Sequence, residues 1–269
     1  MGIAGARILV VGASAGIGRD VGINAADAGA HVAFTARRVD ALNEAVATAG
    51  GGIALALDVC DFSAVPERVE HAVATLGGLD AVVYAAGIAR LGKLALQTAD
   101  DWRAVLDTNV IGAAVVAQAV IPHLEARGGP MVFLSSTTER QPRWGLSAYG
   151  VSKAALNQLI DALRAEHREA RFVRVTVGST LGTEFGNHFD GEILTEAMAQ
   201  WVVAAQHTAN YLTSTDLADV LVRLLDVLLA NRAIDVPNLS LEPPGGPLTL
   251  PATPDVLERL YSDLGAREH

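Results

Sequence analysis

The chain has 269 residues, 51% of them hydrophobic, a formal net charge of −10 and one cysteine. That apolar content is enough for one large core covering both faces of a sheet, while the acidic balance argues against a nucleic-acid footprint or an anionic membrane surface, both of which call for clustered Lys and Arg. Cys60 alone excludes an internal disulfide and a four-cysteine zinc site, so a soluble protein of the reducing cytoplasm is expected.

The first apolar run, Arg7 to Val11, reads as a buried strand; no charged leader precedes it, and no processed signal segment is expected. It leads into Gly12, Ala13, Ser14, Ala15, Gly16, Ile17 and Gly18, then into a helical pattern through Val21 and Ile23 that stops at Gly29. At such a junction the helix start offers unpaired N–H groups and the positive end of its dipole, and glycines let a pyrophosphate approach the backbone. The segment is expected to seat a dinucleotide.

A second strand is expected at 31–36. Its end, Phe34 to Arg38, offers no carboxylate for a ribose 2′-OH; Arg37, with Arg38 beside it and the Ser14 hydroxyl as a partner, suits a 2′-phosphate instead. NADP(H) is expected over NAD(H), against the plainer reading of two solvated surface charges. Further strands at 53–57, 79–85, 130–135, 171–177 and 238–242 alternate with helical patterns. Strict alternation implies an α/β fold built on a doubly wound parallel sheet of seven strands, with its ligand crevice at the strand C-termini between the first and fourth strands. No apolar stretch reaches the roughly 18 residues of a membrane span, since Gln118 interrupts Val110 to Ile121. The seven histidines, His188 and His207 among them, lack metal-ligand spacing, and no metal is expected.

Tyr149 and Lys153 lie four apart in a helical pattern, so they share a face and the ammonium can approach the phenol. A free tyrosine titrates near 10; a nearby cation favours the phenolate and lowers that value, making the pair a candidate general acid or base. Such pairs are common on helix surfaces. What singles this one out is the glycine turn upstream.

Gly12, Gly16 and Gly18 in GxxxGxG spacing, together with Tyr149 and Lys153 in YxxxK spacing, resemble the short-chain dehydrogenase/reductase family, in its single-domain Rossmann-type group, over residues 5 to 242. The resemblance implies roles for other residues. Ser136, thirteen positions before Tyr149, would hold the substrate oxygen, with Ser135 a rival pointing the other way. Asn109 would anchor a water linking Lys153 to solvent, and Lys153 would also grip the nicotinamide ribose. Asp58 and Val59 resemble the adenine-contacting pair, although Asp58 equally reads as a loop carboxylate capping the next helix. Ala85, Ala86 and Gly87 stand where the family has an asparagine-rich turn; both asparagines are absent, but the small residues leave room for a ribose. After the sixth strand the family's Pro-Gly and threonine become Val177, Gly178, Ser179, Thr180, Leu181, Gly182 and Thr183, of which Gly178 and Thr183 are expected at the nicotinamide carboxamide.

The resemblance also makes 183–212 a mobile lid, whose Phe185, Phe189, Trp201 and Tyr211 suit an apolar substrate; a helix pair packing on the body is the plainer reading. Arg140 to Trp144 should border that substrate. Six of the ten prolines fall in 237–254, which implies an extended strap from 243 and then a short amphipathic helix toward 269. Family members bury the helices near 100–126 and 150–168 between subunits, so a homodimer or homotetramer is expected. The expected activity is an NADP(H)-dependent oxidoreduction between a secondary alcohol and a carbonyl on a small-molecule substrate. The competing class is a dinucleotide-sensing binding protein that kept the fold and lost turnover; a sugar epimerase or dehydratase is disfavoured by length and glycine spacing.

Overall fold

The computed structural model of the chain describes residues 2–206, 208 and 210–246. In chain order the elements are β1 (Arg7–Val11), α1 (Gly16–Asp27), β2 (His31–Ala36), α2 (Val39–Thr48), β3 (Ile53–Ala56), α3 (Val65–Leu76), β4 (Ala81–Tyr84), α4 (Ala99–Leu106), α5 (Gly112–Glu125), β5 (Pro130–Ser136) and α6 (Ser147–Glu166). There follow β6 (Arg171–Val177), β7 (Thr180–Leu181), α7 (Gly191–Val203), β8 (Leu212–Thr213), α8 (Ser214–Ala230) and β9 (Asn238–Leu241).

Seven strands pair in parallel in the order β3-β2-β1-β4-β5-β6-β9. Their apolar runs are nearly continuous because both faces are covered. The pleat sends alternate residues to opposite cores. Ile8, Val10, Val132 and Leu134 join Leu217, Leu221 and Leu225 of α8, whereas Leu9, Val11, Met131 and Phe133 join Val69 of α3, Val116 of α5 and Leu156 of α6. Each such fully buried side chain stabilises the fold by about 1.5–3 kcal/mol relative to exposure. The strand order reverses between β1 and β4, so their C-terminal ends open the crevice foreseen there.

A π-helical turn, Asp107–Ile111, joins α4 to α5 into one run, Ala99–Glu125, of 27 residues. By length and composition this run is sufficient to cross a bilayer, which the sequence reading missed by stopping the apolar stretch at Val110. It packs on α3 and α6, with 44% of its most apolar window buried.

The segment beyond β6 leaves the sheet. β7 and β8 pair in parallel as a separate ribbon that brings the two ends of the insertion together. Between them, among the described residues, lie one helix, α7, and a short 3-10 turn, Glu184–Gly186, rather than a helix pair. The Asp190 carboxylate accepts the Glu192 and Ile193 N–H groups at 3.0 and 3.1 Å and so starts α7. Ala197, Met198 and Trp201 then pack on Ala89 and Leu146, a third apolar cluster over the crevice. Of the proline-rich strap and terminal helix, residues 247–269 lie outside the described residues.

Candidate active site

The glycine turn between β1 and α1 is shaped by close approach. Gly12 has φ of +91°, and a Cβ there would stand 2.5 Å from the Ala86 nitrogen; a Cβ on Gly18 would collide with the Gly12 carbonyl. Helix α1 begins after Ala15 with no side chain capping its first N–H groups, which leaves them for an anion. The turn thus fits a pyrophosphate, and it forms one wall of a cavity of about 920 Å³. Gly12, Ser14, Gly16, Ile17 and Gly18 line that wall; Asp58, Val59, Ala86 and Gly87 continue it, and Gly178 and Thr183 face it. Thr183 comes close enough to Gly16 that a Cβ on the glycine would meet it at 3.4 Å. The Asp58 carboxylate accepts the Cys60 N–H at 3.0 Å, and α3 starts with no side-chain cap.

Of the two arginines after β2, both line the cavity, but it is Arg38 that reaches Ser14, donating from Nη2 to its Oγ at 3.1 Å. Arg37 is exposed and makes no hydrogen bond among the described residues. Arg38 also forks onto Glu184 in the 3-10 turn after β7, Nη1 to Oε1 at 2.9 Å and Nη2 to Oε2 at 2.7 Å. The sequence reading paired Ser14 with Arg37; the turn into α2 presents the next residue.

The other half of the cavity holds the proton-carrying groups. The pleat of β5 turns Ser135 and Ser136 to opposite faces. The Ser136 hydroxyl accepts from Thr138 N and Oγ1 at 3.3 and 3.0 Å, while the buried Ser135 hydroxyl has no partner among the described residues. Tyr149 enters from the first turn of α6. Burial pushes its phenol up to about 12, with a hydrogen bond from Ser136 and the charge of Arg143 pulling the other way. Lys153, one turn on, is buried and donates from Nζ to the Leu134 carbonyl at 2.7 Å. Its Nζ lies 5.6 Å from the Tyr149 ring centre, and desolvation pushes it down to about 8. The Lys153 ammonium donates to a carbonyl, and the cation whose charge pulls the Tyr149 phenol down is Arg143, a part the sequence reading gave to Lys153.

Asn109 is fully buried in the π-helical turn and does not line the cavity. Its Oδ1 accepts Ile88 N–H at 2.8 Å, and its Nδ2 donates to Ile88 O and Ser152 Oγ, both at 2.9 Å. Ser152 in turn donates to the Tyr149 carbonyl at 2.7 Å. Asn109 thus ties the loop after β4 to the turn of α6 that carries the tyrosine. Gly87 lies against both groups: a Cβ there would stand 3.4 Å from Asn109 Oδ1 and 3.6 Å from Lys153 Nζ, in ordinary contact.

Sequence reasoning did not single out Ser152, Thr138 or Arg143. Ser152 sits inside the YxxxK motif, a positional signal; Arg143 lies within the stretch expected to border substrate, but nothing in the sequence says it turns inward.

The chain matches the short chain dehydrogenase family over residues 6–188. It belongs to the short-chain dehydrogenase/reductase family, oxidoreductases on a nicotinamide-dinucleotide-binding fold. A short chain dehydrogenase of Pseudocercospora fijiensis is 38% identical over 169 residues, a match covering 60% of this chain and 55% of that protein, so the chain spans little more than half the length of that relative. Among solved structures, the alcohol dehydrogenase of Thermococcus sibiricus complexed with 5-hydroxy-NADP superposes with a TM-score of 0.76 at 22% identity, covering 91% of this chain and 98% of that one. The 3-ketoacyl-(acyl-carrier-protein) reductase of Brucella melitensis complexed with NADH gives 0.76 at 21% identity, covering 89% and 98%. At those identities the likeness is one of fold.

Proposed function

We propose that this protein is an NADP(H)-dependent oxidoreductase that interconverts a carbonyl and a secondary alcohol. The observation that carries the reading is the Ser136 hydroxyl beside the Tyr149 phenol, next to the buried Lys153 ammonium, in the same cavity as the glycine cradle. A bound nicotinamide dinucleotide supplies the hydride in reduction. Ser136, held by Thr138, orients the carbonyl oxygen, and Tyr149 gives that oxygen a proton. Burial, which raises the phenol to about 12, keeps this proton in place through the neutral range, the state a reduction requires. Lys153, with donors beyond the one on Leu134, would hold the ribose of the bound cofactor, and Asn109 with Ser152 fixes the α6 turn that carries Tyr149.

The preference for NADP(H) rests on Arg37 and Arg38 at the cavity and on the absence of a carboxylate at the end of β2. An apolar substrate body is supported by Phe185, Leu194, Met198 and Trp201 on the lid side of the cavity. Replacing Tyr149 by Phe tests the assigned acid: the variant should still bind NADPH while turnover of ketones falls by roughly 10²–10⁴-fold. Retained turnover would refute the assignment. A wild-type protein that binds NADPH yet reduces no ketone, quinone, steroid or acyl thioester would support the dinucleotide-sensing alternative.

A further inference from the structure

Arg143 acts on Tyr149 through its charge, yet the proposed reaction gives its N–H donors no partner. It lies on the loop between β5 and α6 and lines the substrate end of the cavity. Its Nη2 donates to Ser179 Oγ at 3.2 Å, and its guanidinium carbon stands 5.7 Å from the ring centre of Trp201 on α7. Trp201 is itself fixed by donating Nε1–H to the Trp144 carbonyl at 2.9 Å. Burial holds the guanidinium below its ordinary value, and its charge acts on Tyr149 and Tyr211.

Arg143 is half-buried, and a guanidinium partly withdrawn from water gains from a counterion, because desolvating a charge without a partner is costly. The other cations of the cavity are accounted for. Arg38 pairs with Glu184, Arg90 with Asp101 at 3.8 Å, Lys153 donates to Leu134, and Arg37 stands at the far, cofactor end. Arg143 forms no ion pair with any described residue, and of its five N–H donors only one is used among them. The remaining donors form a planar fork, pinned by a hydroxyl on one side and an indole on the other, in the geometry that matches a carboxylate. One cation balances a monoanion; a phosphate dianion would call for a second.

We infer that Arg143 binds a carboxylate carried by the substrate. The substrate is then an oxo acid with an apolar body: its carbonyl oxygen at Ser136 and Tyr149, its carboxylate on Arg143, its body under Met198 and Phe185. This rests on the proposed carbonyl–alcohol chemistry, and the test separates the two.

The measurement is kcat/KM with NADPH for 3- and 4-acetylbenzoate against their methyl esters. Wild type should favour the acids, and Arg143→Gln should lower the acid-to-ester ratio roughly 10- to 100-fold, with Arg143→Lys between them. A wild type that favours the esters overturns the inference. So does a loss in Arg143→Gln equal for acid and ester, which would make the residue a tuner of Tyr149. If no ketone is turned over at all, the proposed reaction fails, and benzoate titrated into the NADP⁺-loaded protein still decides. Saturable quenching of tryptophan fluorescence in wild type, lost in Arg143→Gln, supports carboxylate binding; no saturable change in wild type rejects it.

Discussion

Lysine and tyrosine one turn apart were expected to share a proton economy in which the cation eases ionisation of the phenol. In the folded chain the two groups are instead shifted apart, Tyr149 up to about 12 and Lys153 down to about 8, because both are desolvated and the ammonium faces a carbonyl. At neutral pH both therefore carry their protons. The consequence is a pH profile. As Lys153 loses its charge above about 8, kcat/KM for NADPH in reduction should hold level below that pH and decline above it; a profile level to pH 10 would contradict the assignment. Stability follows with the opposite sense. A lysine whose folded value is depressed costs stability at all pH below about 8, and the cost is relieved as pH rises from there toward 10.5. Lys153→Met should thus be more stable than wild type at pH 7, by on the order of 1–3 kcal/mol in the free energy of unfolding, and the gain should shrink by pH 10.

At the scale of elements, the short turn Glu184–Gly186 serves two sites at once. Glu184 holds Arg38 at the cofactor end, and the Phe185 ring stands edge-on to Tyr149 with centres 5.0 Å apart. The β7–β8 ribbon joins both ends of the insertion, and the insertion's first residues carry the partner of Arg38. The ion pair is exposed and contributes about 0–1 kcal/mol, a small barrier to an incoming anion. If a 2′-phosphate takes the place of the Glu184 carboxylate, Glu184→Gln should lower the KM for NADPH a few-fold, and Arg38→Ala should raise it roughly 10- to 100-fold. If instead Glu184 serves a ribose 2′-OH, Glu184→Gln weakens NADH and Arg38→Ala spares NADPH. Steady-state KM values for both cofactors distinguish the two.

For the molecule as a whole, the question is what covers the outer faces of the long helical run and α6. Ile111 remains 42% exposed and Val151 50%, although both helices are rich in apolar residues. We propose that a second copy covers them. A solution mass at micromolar concentration should exceed that of one chain, and Val151→Glu should shift it toward the monomer, since a charge buried unpaired at an interface is costly. A wild type that is monomeric throughout would remove this reading.

The seven strands were legible because a sheet covered on both faces demands runs of apolar residues, and those runs are written contiguously. The glycine turn was legible for a similar reason: where backbone meets backbone at Ala86, no side chain fits, and the chain says so locally. Tyr149 and Lys153 became legible only in company, because their helical spacing is common and the glycine turn upstream is what set them apart. What the residues could not express alone were relations between segments far apart in the chain: Arg38 rather than Arg37 reaching Ser14, β7 finding β8, Arg143 settling on Ser179 and Trp201. The titration of Tyr149 belongs to the same group. Proximity across long loops and the exclusion of water are set only when the tertiary structure closes, and no periodicity in the sequence encodes them.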